Sequence, residues 1–578
     1  MKKMFLRLRP FGVLVCFSAL FIVGSSLAGL NMPALLADIV NNGVAAGDSA
    51  YVGRTGLKML LVAFLGMCCS LGTVYCSSRI ATGFSAELRG ELFEKVQSYS
   101  EGEMDRFGTA SLITRSINDV SQIQHFLMMM IRSMLSAPIT AIGGIYMAFS
   151  SNARLAGIVF AAMPFVVLIV VGVSRFTIPM TRVMQQKLDR VNLVLREKLR
   201  GVRVIRAFGN EEYERERFRQ ANRDLTRTSV RMQRIMSAMS PLVMLVLNTA
   251  TVAILWVGAG TVDAGLMQYG DIMAVVEYVM QILMSMMMIS MIFIRIPRAV
   301  ASADRINAVL ENDTAIVGGS VTGSGSRRGE IEFRNVTFFY EHSDEPAVKN
   351  ISFTAKKGQT VAIIGSTGSG KTTLLSLIPR FYDPQEGQIL IDGVDHREYD
   401  LKALRDKIGY ASQKAVLFAG SVADNIGYGM DDAAPEDIRR AAVIAQADGF
   451  IQGKIGGYDA AIEQGGQNLS GGQKQRLSIA RAIVRRPEFY LFDDSFSALD
   501  LRTDYRLRTA LAAETGESTV LIVAQRVSTI LNADLILVLE HGELAGSGTH
   551  RSLMESCEVY REIVLSQLSE KEALEYGR

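Results

Sequence analysis

Residues 360–382 read TVAIIGSTGSGKTTLLSLIPRFY, and their order decides how the second half of this 578-residue chain folds. The apolar, β-branched run 360–364 reads as a buried strand, and three glycines punctuate the turn beyond it. The stretch 365–372 then fits G-x-x-x-x-G-K-[ST] and opens an apolar helix. A glycine-rich turn between strand and helix lets backbone N–H groups converge on phosphate oxygens at the positive end of that helix. Gly365, Ser366, Thr367, Gly368, Ser369, Gly370 and Thr373 are the predicted phosphate cradle. Lys371 is expected to reach the β- and γ-phosphates, and the Thr372 hydroxyl to ligate Mg²⁺. These residues imply an α/β domain built around a nucleoside triphosphate.

A second buried strand, "FYLF" (489–492), runs into Asp493 and Asp494. A carboxylate ending such a strand supplies the second Mg²⁺ contact, a task assigned to Asp493. Upstream, "IEFRNVTFFY" and "ISFTA" also read as strands, and "GGSVTGSGSRRGE" (318–330) as a flexible linker.

The first 300 residues differ sharply from this. The whole chain is 49% hydrophobic and 21% charged, its mean hydropathy is +0.21, and the apolar excess lies ahead of the linker. A bilayer core takes about 20 apolar residues per helix. Six stretches qualify, at 11–36, 56–80, 126–150, 155–178, 237–261 and 271–297. The first comes after "MKKMFLRLRP" but is too long for a cleaved signal, and it reads as an uncleaved span. Lys and Arg crowd the N-terminus and the connection between spans four and five, "RVIRAFGNEEYERERFRQANRDLTRTSVRMQR", whereas "TVDAGLMQYGD" has none. The N-terminus, both long connections and everything past span six are therefore expected on the cytoplasmic side. Those connections, 79–125 and 179–236, read as helical extensions whose glycine-bearing tips, "MDRFGTASLITRS" and "GVRVIRAFGNEEYE", suit short crosswise helices. In span six, Glu277 lies at an interfacial or deeper position, and the run "MQILMSMMMISMIF" suits either packing or adaptable apolar recognition. A net charge of +3 speaks against nucleic acid as a partner, and the five cysteines lack metal-site spacing and read as free thiols.

"NLSGGQKQRLSIARAI" (468–483) lies between the P-loop and the aspartate pair. With it, the sequence resembles the ATP-binding cassette (ABC) family over essentially its whole length. Six spans ahead of one cassette look like an exporter-type half-transporter. The implied domains are an all-α transmembrane domain at 1–310, a linker at 311–329 and an α/β nucleotide-binding domain at 330–578. The implied setting is a multi-pass protein of a bacterial cell membrane. The resemblance also implies that two cassettes close head to tail on two ATP molecules. Ser470, Gly471, Gly472 and Gln473 would then grip the γ-phosphate held by the other subunit. Tyr340 occupies the place of the aromatic that stacks on adenine, with a core tyrosine as the alternative. Gln413 matches the loop glutamine that contacts Mg²⁺, "SALD" (497–500) the loop that crosses between cassettes, and the tips near 105–115 and 203–213 the coupling helices.

The family pattern is broken twice. Asp494 stands where a catalytic glutamate is expected, and Gln525 where a histidine normally contacts the γ-phosphate. A base must lie within about 2.6–3.2 Å of its proton, and withdrawing a carboxylate by ~1 Å costs on the order of 100-fold. The expected outcome is a site that binds ATP and hydrolyses it poorly, beside a partner site completed by this chain's intact LSGGQ. That requires a second, non-identical half-transporter; the alternative is a slow homodimer using Asp494 as base. The expected cargo is an amphipathic or hydrophobic compound, with a specific peptide, lipid or metal chelate, or a regulatory subunit, as alternatives.

Overall fold

The computed structural model describes Met4 and residues 6–265, 267–341 and 343–568. It divides into two compact units. One comprises the chain up to Gln97 together with Ala110–Asn312, the other Ser98–Thr109 together with the chain from Asp313.

Among the described residues of the first unit, six helices are long and apolar enough to cross a membrane. They are Gly12–Asp38, Ser49–Gln97, Val120–Ser151, Ala153–Arg200, Glu211–Asp263 and Tyr269–Leu310; the last five each contain one expected span, and the first begins one residue inside the expected 11–36. At 1.5 Å per residue, the 53-residue fifth helix is roughly 80 Å long, far beyond a bilayer core of about 30 Å. The excess carries the arginine-rich connection expected on the cytoplasmic side. The helices pack as neighbours one with two, three with six and four with five. Leu155, Val159, Val166, Ile254, Val275, Val279 and Ile282 form one buried cluster. Tyr278 is buried beside Leu30 and donates its hydroxyl to the Leu30 carbonyl at 3.1 Å. The buried Asp119 ties helix three to helix six by accepting from Ser302 (3.0 Å) and Arg305 Nε (2.7 Å).

The methionine run of helix six separates by face. Met287 packs against the buried cluster, whereas Met280, Met284 and Met288 are exposed and so are not packing filler within this chain. The side chains of Ser290, Met291 and Phe293 lie outside the described residues.

The second unit is built on strands β1 (Ile331–Phe338), β2 (Val348–Ala355), β3 (Thr360–Gly365), β4 (Glu386–Ile391), β5 (Val394–Asp395), β6 (Ile408–Ala411), β7 (Gly420–Ser421), β8 (Ala461–Ile462), β9 (Phe489–Asp493), β10 (Thr519–Val523), β11 (Leu535–Glu540) and β12 (Glu543–Gly548). The central sheet has the order β12-β11-β3-β10-β9-β6, parallel except for β12. Its strands β3, β9 and β10 are buried on both faces, as the continuous apolar runs predict. A smaller antiparallel sheet, β2-β1-β4-β5, stands beside it. Because β3, β10 and β9 are adjacent and parallel, the P-loop after β3 and the aspartate pair after β9 leave the sheet at the same edge.

The glycine-rich segment 318–330 is not a free tether. Gly319 N–H donates to the Tyr399 carbonyl, Val321 N–H to Glu398, and Gly329 N–H to Asp392 Oδ1. A Cβ on Gly319 would lie 2.0 Å from the Glu398 carbonyl oxygen. These glycines allow the backbone to lie flat on the domain, a role that composition alone does not distinguish from flexibility.

The short helix Glu101–Phe107 belongs to this second unit. Ser100 and Glu103 form its capping box, and Glu103 Oε1 also accepts the Ala315 N–H at 2.7 Å. Tyr382 donates to Asp105 Oδ2 at 3.2 Å. The other expected tip is also a short helix, Val202–Ala207, and carries no buried residue.

Candidate active site

The edge where β3 and β9 end carries a cavity of about 410 Å³ lined by Tyr340, Thr367, Gly368, Gly370, Lys371, Thr372, Thr373, Gln413, Asp493, Asp494 and Gln525, with Ala347 and Val523. Residues 185 positions apart in sequence thus line one cavity. Gly370 shows why the turn must be glycine. Its φ is +94°, and a Cβ there would meet the Ala347 carbonyl oxygen at 2.4 Å.

Lys371 is buried, and its Nζ is held over the loop by the carbonyls of Gly365 (2.9 Å) and Ser366 (2.6 Å) and by Ser369 Oγ (3.4 Å). Burial lowers its pKa, an effect opposed by the charges of Asp494 and Asp493. The Thr372 hydroxyl donates to Asp493 Oδ1 at 3.0 Å. Burial raises the pKa of Asp493, as does the neighbouring Asp494 charge, while Thr372 and Lys371 pull it down. Thr372, Asp493 and the amide of Gln413 bring hard oxygen donors together, a set that suits Mg²⁺. Tyr340 sits at the rim, partly exposed, with its hydroxyl 2.9 Å from Thr373 Oγ1. A core tyrosine is therefore not what the structure contains. Its ring stands edge-on to Tyr382, 5.5 Å between centroids.

The opposite wall is organised around Asp494. This residue has φ of +45°, a left-handed conformation that aspartate tolerates better than most side chains. Its Oδ2 accepts from Gln525 Nε2 at 2.9 Å and from Gln413 Nε2 at 3.3 Å. Burial raises its pKa, and the hydrogen bond from Gln413 and the Lys371 charge oppose that rise. The carboxylate is thereby saturated on one oxygen by two amides, neither of which changes charge.

Ser470, Gly471, Gly472 and Gln473 do not line this cavity. They open the helix Gly471–Ile483, where Ser470 Oγ accepts from Gln473 N–H (3.3 Å) and Ser470 N–H donates to Gln473 Oε1 (3.0 Å). A Cβ on Gly472 would approach the Ala498 carbonyl oxygen to 3.1 Å, in the "SALD" turn. Sequence reasoning overlooked Glu103 and Tyr382. A signal for the first was present: S-x-x-E at 100–103 is a capping-box pattern. Tyr382 had none.

Comparisons with known proteins identify the family of this fold. A family model described as "ABC transporter transmembrane region" matches residues 15–286, and one described as "ABC transporter" matches residues 348–497. An uncharacterised ABC transporter ATP-binding protein of Mycobacterium tuberculosis is 40% identical over 567 residues, covering 97% of each chain. An ATP-dependent lipid A-core flippase of Thiobacillus denitrificans is 30% identical, covering 96% of each. A bacterial Atm1-family ABC exporter solved with ATP bound superposes with a TM-score of 0.79 at 25% identity, over 97% of this chain and 99% of that one. With its membrane helices fused ahead of an ATPase domain, this chain belongs to the ABC transporter family as an exporter-type half-transporter, an integral multi-pass membrane protein whose ATP hydrolysis is coupled to transport.

Proposed function

We propose that this chain is the degenerate-site subunit of a heterodimeric exporter of amphipathic or hydrophobic compounds. The observation that carries the proposal is the state of Asp494: one methylene shorter than the expected glutamate, and bonded on one oxygen by Gln525 and Gln413. The binding half of the same pocket has every residue the chemistry asks for. ATP is held by the P-loop backbone and Lys371, and Thr372, Asp493 and Gln413 are the residues that hold Mg²⁺, whose charge when bound offsets that of the β- and γ-phosphates. Asp494 then lies too far back to take a proton from an attacking water, and Gln525 brings no positive charge to the γ-phosphate. Hydrolysis falls to the second site, formed by a partner's P-loop and this chain's Ser470–Gln473. ATP binding closes the cassettes and favours one face of the transmembrane helices; cleavage at the partner's P-loop resets them. The flippase name of one relative and the adaptable methionines of helix six support an amphiphilic cargo.

Two measurements test this. Purification through a tag on this chain alone should bring down a different polypeptide in equal amount. In that complex, Asp494→Glu combined with Gln525→His should raise turnover by about tenfold or more. Brisk hydrolysis by a preparation of this chain alone, lost in Asp494→Asn, would instead establish a homodimer with Asp494 as its base.

A further inference from the structure

The loop 524–526, between β10 and the short helix Val527–Ile530, carries Gln525 to the nucleotide pocket. Its entry is fixed by the sheet, where the Ala524 N–H donates to the Ile363 carbonyl at 3.1 Å. Its exit is held by a side chain from far along the chain. Gln567 donates its Nε2–H to the Gln525 carbonyl at 2.8 Å, and its Oε1 accepts the Val527 N–H at 2.9 Å. One amide thus bonds the peptide groups on both sides of Arg526, as a neighbouring strand would.

The clamp and the segment it grips share one core. Gln567 ends the helix Glu558–Gln567, whose Tyr560 and Val564 are fully buried in the cluster that also takes up Val527 and Ile530. The Tyr560 hydroxyl lies 2.8 Å from His550 Nδ1. The two loop side chains reach different parts of the domain. Gln525 donates to Asp494 at 2.9 Å. Arg526 donates to the carbonyls of Ser497 (3.2 Å) and Leu499 (3.4 Å) in the SALD turn. The Ala498 carbonyl of that turn is the atom a Cβ on Gly472 would approach. A shift of the loop is therefore felt in the pocket on one side and toward the LSGGQ turn on the other. Gln567 itself is exposed, so water can take over both of its bonds. Their loss costs position more than stability.

We propose that Gln567 is a positioning residue for ATP turnover, holding loop 524–526 so that Gln525 meets Asp494 and Arg526 meets the SALD turn. It lies 42 positions beyond Gln525, outside every motif of the nucleotide site. Because it acts through both the pocket and the LSGGQ turn of this chain, it bears on turnover whether the assembled exporter pairs two identical chains or two different ones.

The test compares variants of the full chain, assembled as the exporter in lipid nanodiscs. Gln567→Ala should lower kcat for ATP by about tenfold, since a loop displaced by less than ~1 Å loses part of the ~100-fold that a full ångström costs. KM for ATP should stay within about twofold, because the P-loop is untouched, and the melting temperature within about 2 °C. Arg526→Ala added to Gln567→Ala should lower kcat by less than the product of the two single effects, as for residues that act through one another. Gln567→Glu gives a readout that a merely structural role does not. Ionised, it still accepts the Val527 N–H but turns a second acceptor toward the Gln525 carbonyl; protonated, its O–H donates there as the amide did. Its kcat relative to wild type should therefore be low at about pH 8 and rise as pH falls toward about 5. An unchanged kcat in Gln567→Ala, a loss that tracks a fall in melting temperature, multiplicative losses with Arg526→Ala, or a Gln567→Glu ratio that ignores pH would each overturn the assignment.

Discussion

At the P-loop end of the nucleotide pocket, Lys371 is held by three acceptors and Thr372 is locked to Asp493, on a turn where Gly365 and Gly370 leave no room for a Cβ. At the other end, one carboxylate in a left-handed conformation receives two glutamine amides. The first arrangement supplies fixed charge where phosphates bind. The second places an aspartate and a glutamine where the family resemblance leads one to expect a glutamate and a histidine. On the reading proposed above, the contrast separates two functions that a single ATPase site normally joins, nucleotide binding that closes the cassettes and the chemistry of cleavage. Loss by drift would be expected to erode both ends alike.

The largest expected effect comes from breaking the intact end. Lys371→Ala should weaken ATP at this pocket by about 100-fold or more, since it truncates a buried charge aimed at phosphate; photoaffinity labelling of this chain in the complex measures it. Next comes a paired comparison of turnover. Gly472→Val crowds the Ala498 carbonyl and deforms the signature turn, so it should lower the complex's hydrolysis by ~100-fold, the scale of a 1 Å misplacement. Asp494→Asn should change it by less than about twofold, because one acceptor oxygen remains for the two amides and no proton transfer is lost. Equal losses in the two variants would erase the distinction between the ends. Smaller again, Tyr340→Ala should weaken ATP by roughly tenfold, the scale of one base-stacking contact, and should weaken GTP comparably.

Much of this was legible before the fold. The P-loop, the strand into Asp493 and the LSGGQ turn are local patterns in which backbone geometry dictates residue type, so the sequence carries them directly. The six spans are equally plain, because lipid demands long apolar runs. What the sequence could not convey was contact at a distance. Gly319 and Gly325 look like flexible linker residues, yet they lie against the carbonyls of Glu398 and Asp392. The exposure of one methionine face depends on which side of helix six packs inward. Tyr382 lies next to the P-loop helix without a motif of its own, and only the fold brings it to Asp105.

A last effect, on stability, concerns the rim of the pocket, where Tyr340 meets Tyr382 and Tyr382 meets the short helix Glu101–Phe107. Glu103 fixes that helix to the segment entering the cassette. Its burial pushes the pKa up, but hydrogen bonds from Ser100 and the Ala315 N–H outweigh this and hold it below the ordinary value of 4.5. Glu103→Ala should therefore destabilise the second unit by about 1.5–3 kcal/mol, the range for hydrogen bonds to a charged group. The lowered pKa fixes the sign of the pH dependence. The contribution is complete above pH 4.5, the ordinary value, and is lost as pH falls through the lower folded value. The gap in melting temperature between the wild-type and variant chains should accordingly be constant from neutral pH down to about 4.5 and close below it. If Glu103 serves only stability, basal and cargo-stimulated ATP turnover will fall together at 25 °C. If it positions the helix against the adenine end, stimulation will be lost first while basal turnover persists, and the intact half of the pocket then extends beyond the nucleotide to the segment that reports its occupancy.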